Sequence, residues 1–114
     1  MEIRFADRKL EKECNEQRLL KRNHGERRAK LIANRLAVLR ESKALSDIGP
    51  PYRGPYRCHE LTGNRHGQLS VDLDHPYRLI LKPDHVPPPQ RDEGGLDWSK
   101  VTALVIVEIV DTHE

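Results

Sequence analysis

Two histidines, His59 and His113, bracket two arginines, Arg65 and Arg78, and this set of side chains has the makings of an RNA-cutting site. Breaking an RNA strand needs a base for the 2′-hydroxyl, an acid for the leaving 5′-oxygen, and cations that stabilise the charged phosphorane. Two imidazoles and two guanidinium groups supply all three without a metal. His59 falls in a candidate strand, Arg65 and His66 on a turn, Arg78 in the next strand, and Asp111 and His113 at the chain's end. Each residue taken singly also has a plainer role. A strand histidine is commonly structural, and Arg78 can pair with Asp72 or Asp74 across a sheet. Two histidines without a third ligand make a poor metal site. The sequence holds no Gly-rich phosphate loop, zinc-ligand spacing or serine nucleophile elbow, and no cofactor is implied. Spacing alone therefore points to a phosphate or nucleic-acid site and stops there.

The elements that must position these residues are legible from hydrophobic periodicity. Met1–Phe5 alternates and reads as an edge strand. Asp7 is a candidate N-cap for a helix running to about Arg22, with Leu10 and Cys14 one turn apart. His24-Gly25 interrupts it, and a second helix follows from about Glu26 to Arg40. There Ala29, Ile32, Ala33, Leu36 and Leu39 make one apolar stripe, with Arg27, Arg28, Arg35 and Arg40 mostly off it. Gly49-Pro50-Pro51 ends the helical half. The period then changes. Tyr56–Leu61 is a candidate strand, and Thr62–Gly67 carries turn chemistry. Gln68–Asp74 alternates, with Leu69, Val71 and Leu73 on one face and Ser70, Asp72 and Asp74 on the other. Tyr77–Lys82 is a further strand. Pro83–Lys100 reads as an exposed acidic loop, and Val101–Val110, nearly unbroken in apolar residues, as a strand inside the sheet. The expectation is a single α+β domain over residues 1–114: an N-terminal strand and a two-helix hairpin on a small, mainly antiparallel sheet.

Composition narrows the partners. With 36% hydrophobic and 33% charged residues, the core must be modest and the surface highly charged. Residues 1–82 carry 18 Lys and Arg against 11 Asp and Glu, whereas residues 83–114 carry 2 against 7. A basic body suits a polyanion, although a solvated helix face produces the same bias. No stretch has the length and apolarity of a membrane span or a secretory leader, so a cytoplasmic protein without membrane attachment is expected. Cys14 and Cys58 lack paired spacing and read as buried apolar residues.

The segment Tyr56-Arg57-Cys58-His59-Glu60-Leu61-Thr62-Gly63-Asn64-Arg65-His66-Gly67-Gln68-Leu69-Ser70-Val71, followed by Tyr77-Arg78-Leu79-Ile80 and by Glu108-Ile109-Val110-Asp111-Thr112-His113, resembles the RelE/ParE toxin superfamily on its HigB-like branch. That pattern runs from a His-x-Leu strand through a basic Gly-containing turn and an aromatic-Arg strand to an Asp-Tyr-His-like tail, and the resemblance spans nearly the whole chain. It implies a microbial RNase fold, with two helices against a curved sheet. It also implies a toxin that enters the 30S A site of the ribosome, cleaves mRNA there, and is restrained by a helix-turn-helix antitoxin through which alone it meets operator DNA. His59, Arg78, Asp111 and His113 would then be catalytic. Arg65 and Arg78 would hold the scissile phosphate, with His66 beside them, and Arg27, Arg28 and Arg35 would contact ribosomal RNA. Two positions depart from the pattern. Thr112 replaces the tail tyrosine, and Thr62 stands where a lysine is common. A gyrase-binding toxin of the ParE kind and a catalytically weakened interaction protein of the same fold are the alternatives.

Overall fold

In a computed structural model, described for residues 1–111, the chain builds three helices and a five-stranded sheet. The order is β1 (Glu2–Phe5), α1 (Arg8–Asn15), α2 (Gln17–His24), α3 (Glu26–Glu41), β2 (His59–Glu60), β3 (Leu69–Asp72), β4 (Tyr77–Pro83) and β5 (Ala103–Asp111). Across the sheet the strands run β1-β5-β4-β3-β2. Only β1 lies parallel to its neighbour, β5, and the remaining pairings are antiparallel. The α+β class and the mainly antiparallel sheet agree with the sequence.

The helical half differs in one respect. Asp7 does cap α1, its carboxylate accepting the Leu10 N–H at 2.8 Å. The expected single helix to Arg22, however, is broken at Glu16, whose backbone is extended (φ −124°, ψ 106°). Packing accounts for the break. Cys14 and Leu20 are both buried, yet on an unbroken helix residues six apart point about 120° away from each other. Interrupting the helix lets both reach the core. Gly25 (φ +81°) then ends α2, and its N–H bonds the Lys21 carbonyl at 2.9 Å. In α3 the stripe behaves as spaced: Ala29, Ile32, Leu36 and Leu39 are buried, and Ala33 is half-buried. These side chains pack with Leu69, Val71, Leu79, Leu81, Leu104 and Ile106, so the helices cover one face of the sheet.

Among the strands, β5 lies between β1 and β4, as its apolar run implied. The candidate strand Tyr56–Leu61 shrinks to His59–Glu60 because Arg57 adopts a left-handed backbone (φ +44°). The chain nevertheless stays alongside β3, where the Asp72 N–H reaches the Tyr56 carbonyl at 2.9 Å. A 3-10 turn at Leu45–Ile48 tucks Leu45 and Ile48 into the core, a short apolar contribution that periodicity had not shown. Among the described residues, no helix is long and apolar enough to cross a membrane.

Cys14 and Cys58 are both buried free thiols, and burial pushes each up to about 12. Because the thiolate is the reactive form, both should alkylate with iodoacetamide at least about ten times more slowly in native protein than in urea. Mass spectrometry of the two digests checks this, and rapid native labelling of either residue would contradict its burial.

Candidate functional site

The face of the sheet turned away from the helices carries the polar residues. Cross-strand partners share a face, so the register sets His59 beside Ser70, Ser70 beside Ile80, and Ile80 beside Glu108. The next row holds Asp72, Arg78 and Val110. Ser70 and Ile80 are fully buried and form the floor. Strand alternation therefore delivers five polar side chains from four strands to one surface, with Ile80 and Val110 among them.

His59 is held in a defined tautomer. Its Nδ1 lies 2.9 Å from the Arg57 carbonyl, and a carbonyl can only accept, so Nδ1 carries the proton. In the neutral ring Nε2 is then the lone pair. The Tyr52 ring lies against the imidazole, with centroids 4.3 Å apart and planes 13° from parallel. Ser70 links His59 to Arg78, since it faces the histidine in register and its Oγ lies 3.4 Å from Arg78 Nη1. Arg78 Nη1 also donates to Asp72 Oδ1 at 2.8 Å, while Arg57 Nε is 3.3 Å from Asp72 Oδ2. One carboxylate thus holds two guanidinium groups. At the other side Arg65 donates to Gln68 Oε1 at 3.1 Å and to Glu108 Oε2 at 3.2 Å. Among the described residues, Arg57 and Arg78 thus share a single carboxylate on the strand next to His59, an excess of positive charge beside the histidine lone pair, with Arg65 and Glu108 further across the sheet. That combination can take a proton and stabilise an anion.

No protein-family model and no curated protein matches this chain.

The remaining sequence candidates lie elsewhere. Arg28 forms a two-pronged pair with Asp74 (2.8 and 3.0 Å), and its guanidinium sits 3.4 Å over the Tyr77 ring. Arg35 donates to the Asp72 carbonyl at 3.0 Å and to Asn34 at 2.8 Å, and lies 5.0 Å over the Tyr56 ring. Both arginines tie α3 to the sheet. Arg27 is exposed. His66 lines a separate cleft of about 300 Å³ with Glu60, Pro83, Pro88 and Leu96. Asp111 stands opposite Tyr77, one position beyond Val110, so strand alternation sets it on the helix-side face rather than with Arg78. Thr112 and His113 lie outside the described residues. Among the described residues, no group of three His, Cys, Asp or Glu is placed to hold a metal ion.

Tyr52, Arg57, Ser70 and Glu108 belong to the site in addition to the candidates legible in the sequence. Alternation in β3 does assign Ser70 to the polar face, so that signal was available. Tyr52 and Arg57 gave none, because both occupy positive-φ backbone (+65° and +44°) that sequence ordinarily marks with glycine.

Proposed function

We propose that the chain is a RelE/ParE-superfamily toxin on the HigB-like branch, a ribosome-dependent mRNA endoribonuclease restrained by a helix-turn-helix antitoxin. The observation that carries this is the fixed His59 tautomer, with Nε2 as lone pair on a sheet face that also presents Arg78 and Arg65. In the reaction, Nε2 takes the proton of a 2′-hydroxyl, and the oxygen attacks the adjacent phosphorus. The 5′-oxygen leaves with a proton, a step assigned by resemblance to His113, and a 2′,3′-cyclic phosphate and a 5′-hydroxyl remain. Arg78 and Arg65 stabilise the phosphorane. Asp111 belongs to the catalytic set by resemblance alone, since its register position is on the opposite face. Of Arg27, Arg28 and Arg35, Arg27 is exposed and is the one disposed to meet ribosomal RNA, since the other two are engaged with Asp74 and the Asp72 carbonyl.

The test is expression from a tightly controlled promoter, with 5′ ends of cellular mRNA mapped against a His59→Ala control. New ends inside translated frames, absent with the variant, are the expected result. Growth arrest without cuts would favour the gyrase-binding alternative. Neither arrest nor cuts would favour a fold retained without toxic chemistry.

A further inference from the structure

We infer that Tyr52 is a stacking platform for a nucleobase of the bound RNA, an assignment that rests on the function proposed above. Tyr52 is 57% exposed and, with Val86, is one of two large hydrophobic side chains that face solvent among the described residues. Its ring is nevertheless held in place, parallel to His59 at 4.3 Å. The backbone beneath it is also specified. The Arg53 N–H closes a turn on the Pro50 carbonyl at 3.1 Å, with Pro51 second and Tyr52 third. A positive φ at the third position of such a turn is normally left to glycine, yet tyrosine occupies it at φ +65°. The Tyr52 N–H then bonds the Cys58 carbonyl at 3.0 Å, fastening the turn beside the strand that carries His59. An aromatic residue held in a disfavoured conformation, outside the hydrophobic core and over a histidine, is an arrangement that folding alone does not require.

The ligand chemistry follows from the ring. One face of Tyr52 covers the imidazole, and the exposed remainder offers a flat apolar surface with cationic Arg57 in the same loop. A base splayed from single-stranded RNA matches that surface, and every base has a π-face to offer. The stack base–Tyr52–His59 would hold the strand against the group that takes its 2′-proton. Purines, with the larger ring area, should be favoured at this nucleotide.

The test uses purified full-length protein and a short 2′-O-methyl RNA, which cannot be cleaved, carrying 2-aminopurine at successive positions. Anisotropy of a terminal dye reads binding, and 2-aminopurine quenching reads stacking. Binding with quenching at one position is expected. Tyr52→Phe should bind within about twofold of the parent, and Tyr52→Leu at least about fivefold more weakly with quenching lost. Tyr52→Gly, which relieves the backbone, should melt within a few degrees of the parent while also binding weakly. Parent binding without quenching at any position would overturn the platform whatever the variants do. Equal binding by Tyr52→Leu would overturn it alone and leave the nuclease proposal standing. No binding by the parent at low salt would overturn the platform and leave the ribosome-dependent nuclease to the mapping of 5′ ends.

Discussion

Arg78→Ala should slow ribosome-dependent mRNA cleavage by about a hundredfold or more, with folding little changed. The guanidinium lies in the row next to His59 and contacts the Ser70 hydroxyl between them, where charge develops on the phosphorane oxygens. Removing it does not leave a bare carboxylate, because Asp72 keeps Arg57 at 3.3 Å. The loss should therefore appear in rate rather than stability. Arg78→Lys retains the charge but not the planar fork, and should recover only part of the rate. Single-turnover cleavage on programmed ribosomes, beside a thermal melt of each variant, separates the two effects. A rate within threefold of the parent would remove Arg78 from the reaction centre and leave it a tether for Asp72.

Arg28→Ala should act on the fold instead, costing about 2 to 3 kcal/mol. Arg28 joins α3 to Asp74 through two charge-assisted bonds and covers Tyr77, and both ends of the pair are half-buried. The same contact has a pH signature. The Arg28 hydrogen bond is the main cause holding the Asp74 carboxyl below the usual carboxylate range. Its stabilising contribution is therefore complete above the unfolded value of about 4. It disappears as pH falls from there through the lower folded value, where the carboxyl protonates. Urea unfolding between pH 7 and pH 2.5 should show that acid loss in the parent and a shallower one in Arg28→Ala. An Arg28→Ala protein as stable as the parent but less salt-sensitive in ribosome binding would return Arg28 to the RNA surface.

The contrast between these two arginines shows what could be read from sequence. Arg78 could be assigned to the polar face because strand alternation has a fixed period, and β3 and β4 keep it. The α3 stripe was legible for the same reason, and so was the interior position of β5. Arg28 and Arg35 lie off that stripe and look solvated, but a guanidinium on a long stem reaches past its own helix face. Asp74 and the Asp72 carbonyl are 46 and 37 residues further along the chain, and no local pattern pairs residues at that distance. The break at Glu16 has no proline or glycine to announce it, since burial of Cys14 and Leu20 imposes it from outside. Tyr52 and Arg57 are the extreme case. Their backbone contradicts their residue type, so the loop that completes the His59 surroundings was the least visible part of the site.

The pairing of every site arginine with a carboxylate has a consequence for how anions are admitted. Arg57 and Arg78 share Asp72, and Arg65 holds Glu108, so much of their field is cancelled within a few ångströms. A distant polyanion is drawn only weakly. A phosphate that does arrive must trade places with a carboxylate, oxygen for oxygen, on a guanidinium already oriented for that geometry. Admission is thus an exchange reaction whose equilibrium depends on the shape and charge of the incoming group. Bulk attraction governs it less than the quality of the replacement bonds, which makes the surface selective among anions before any base is recognised.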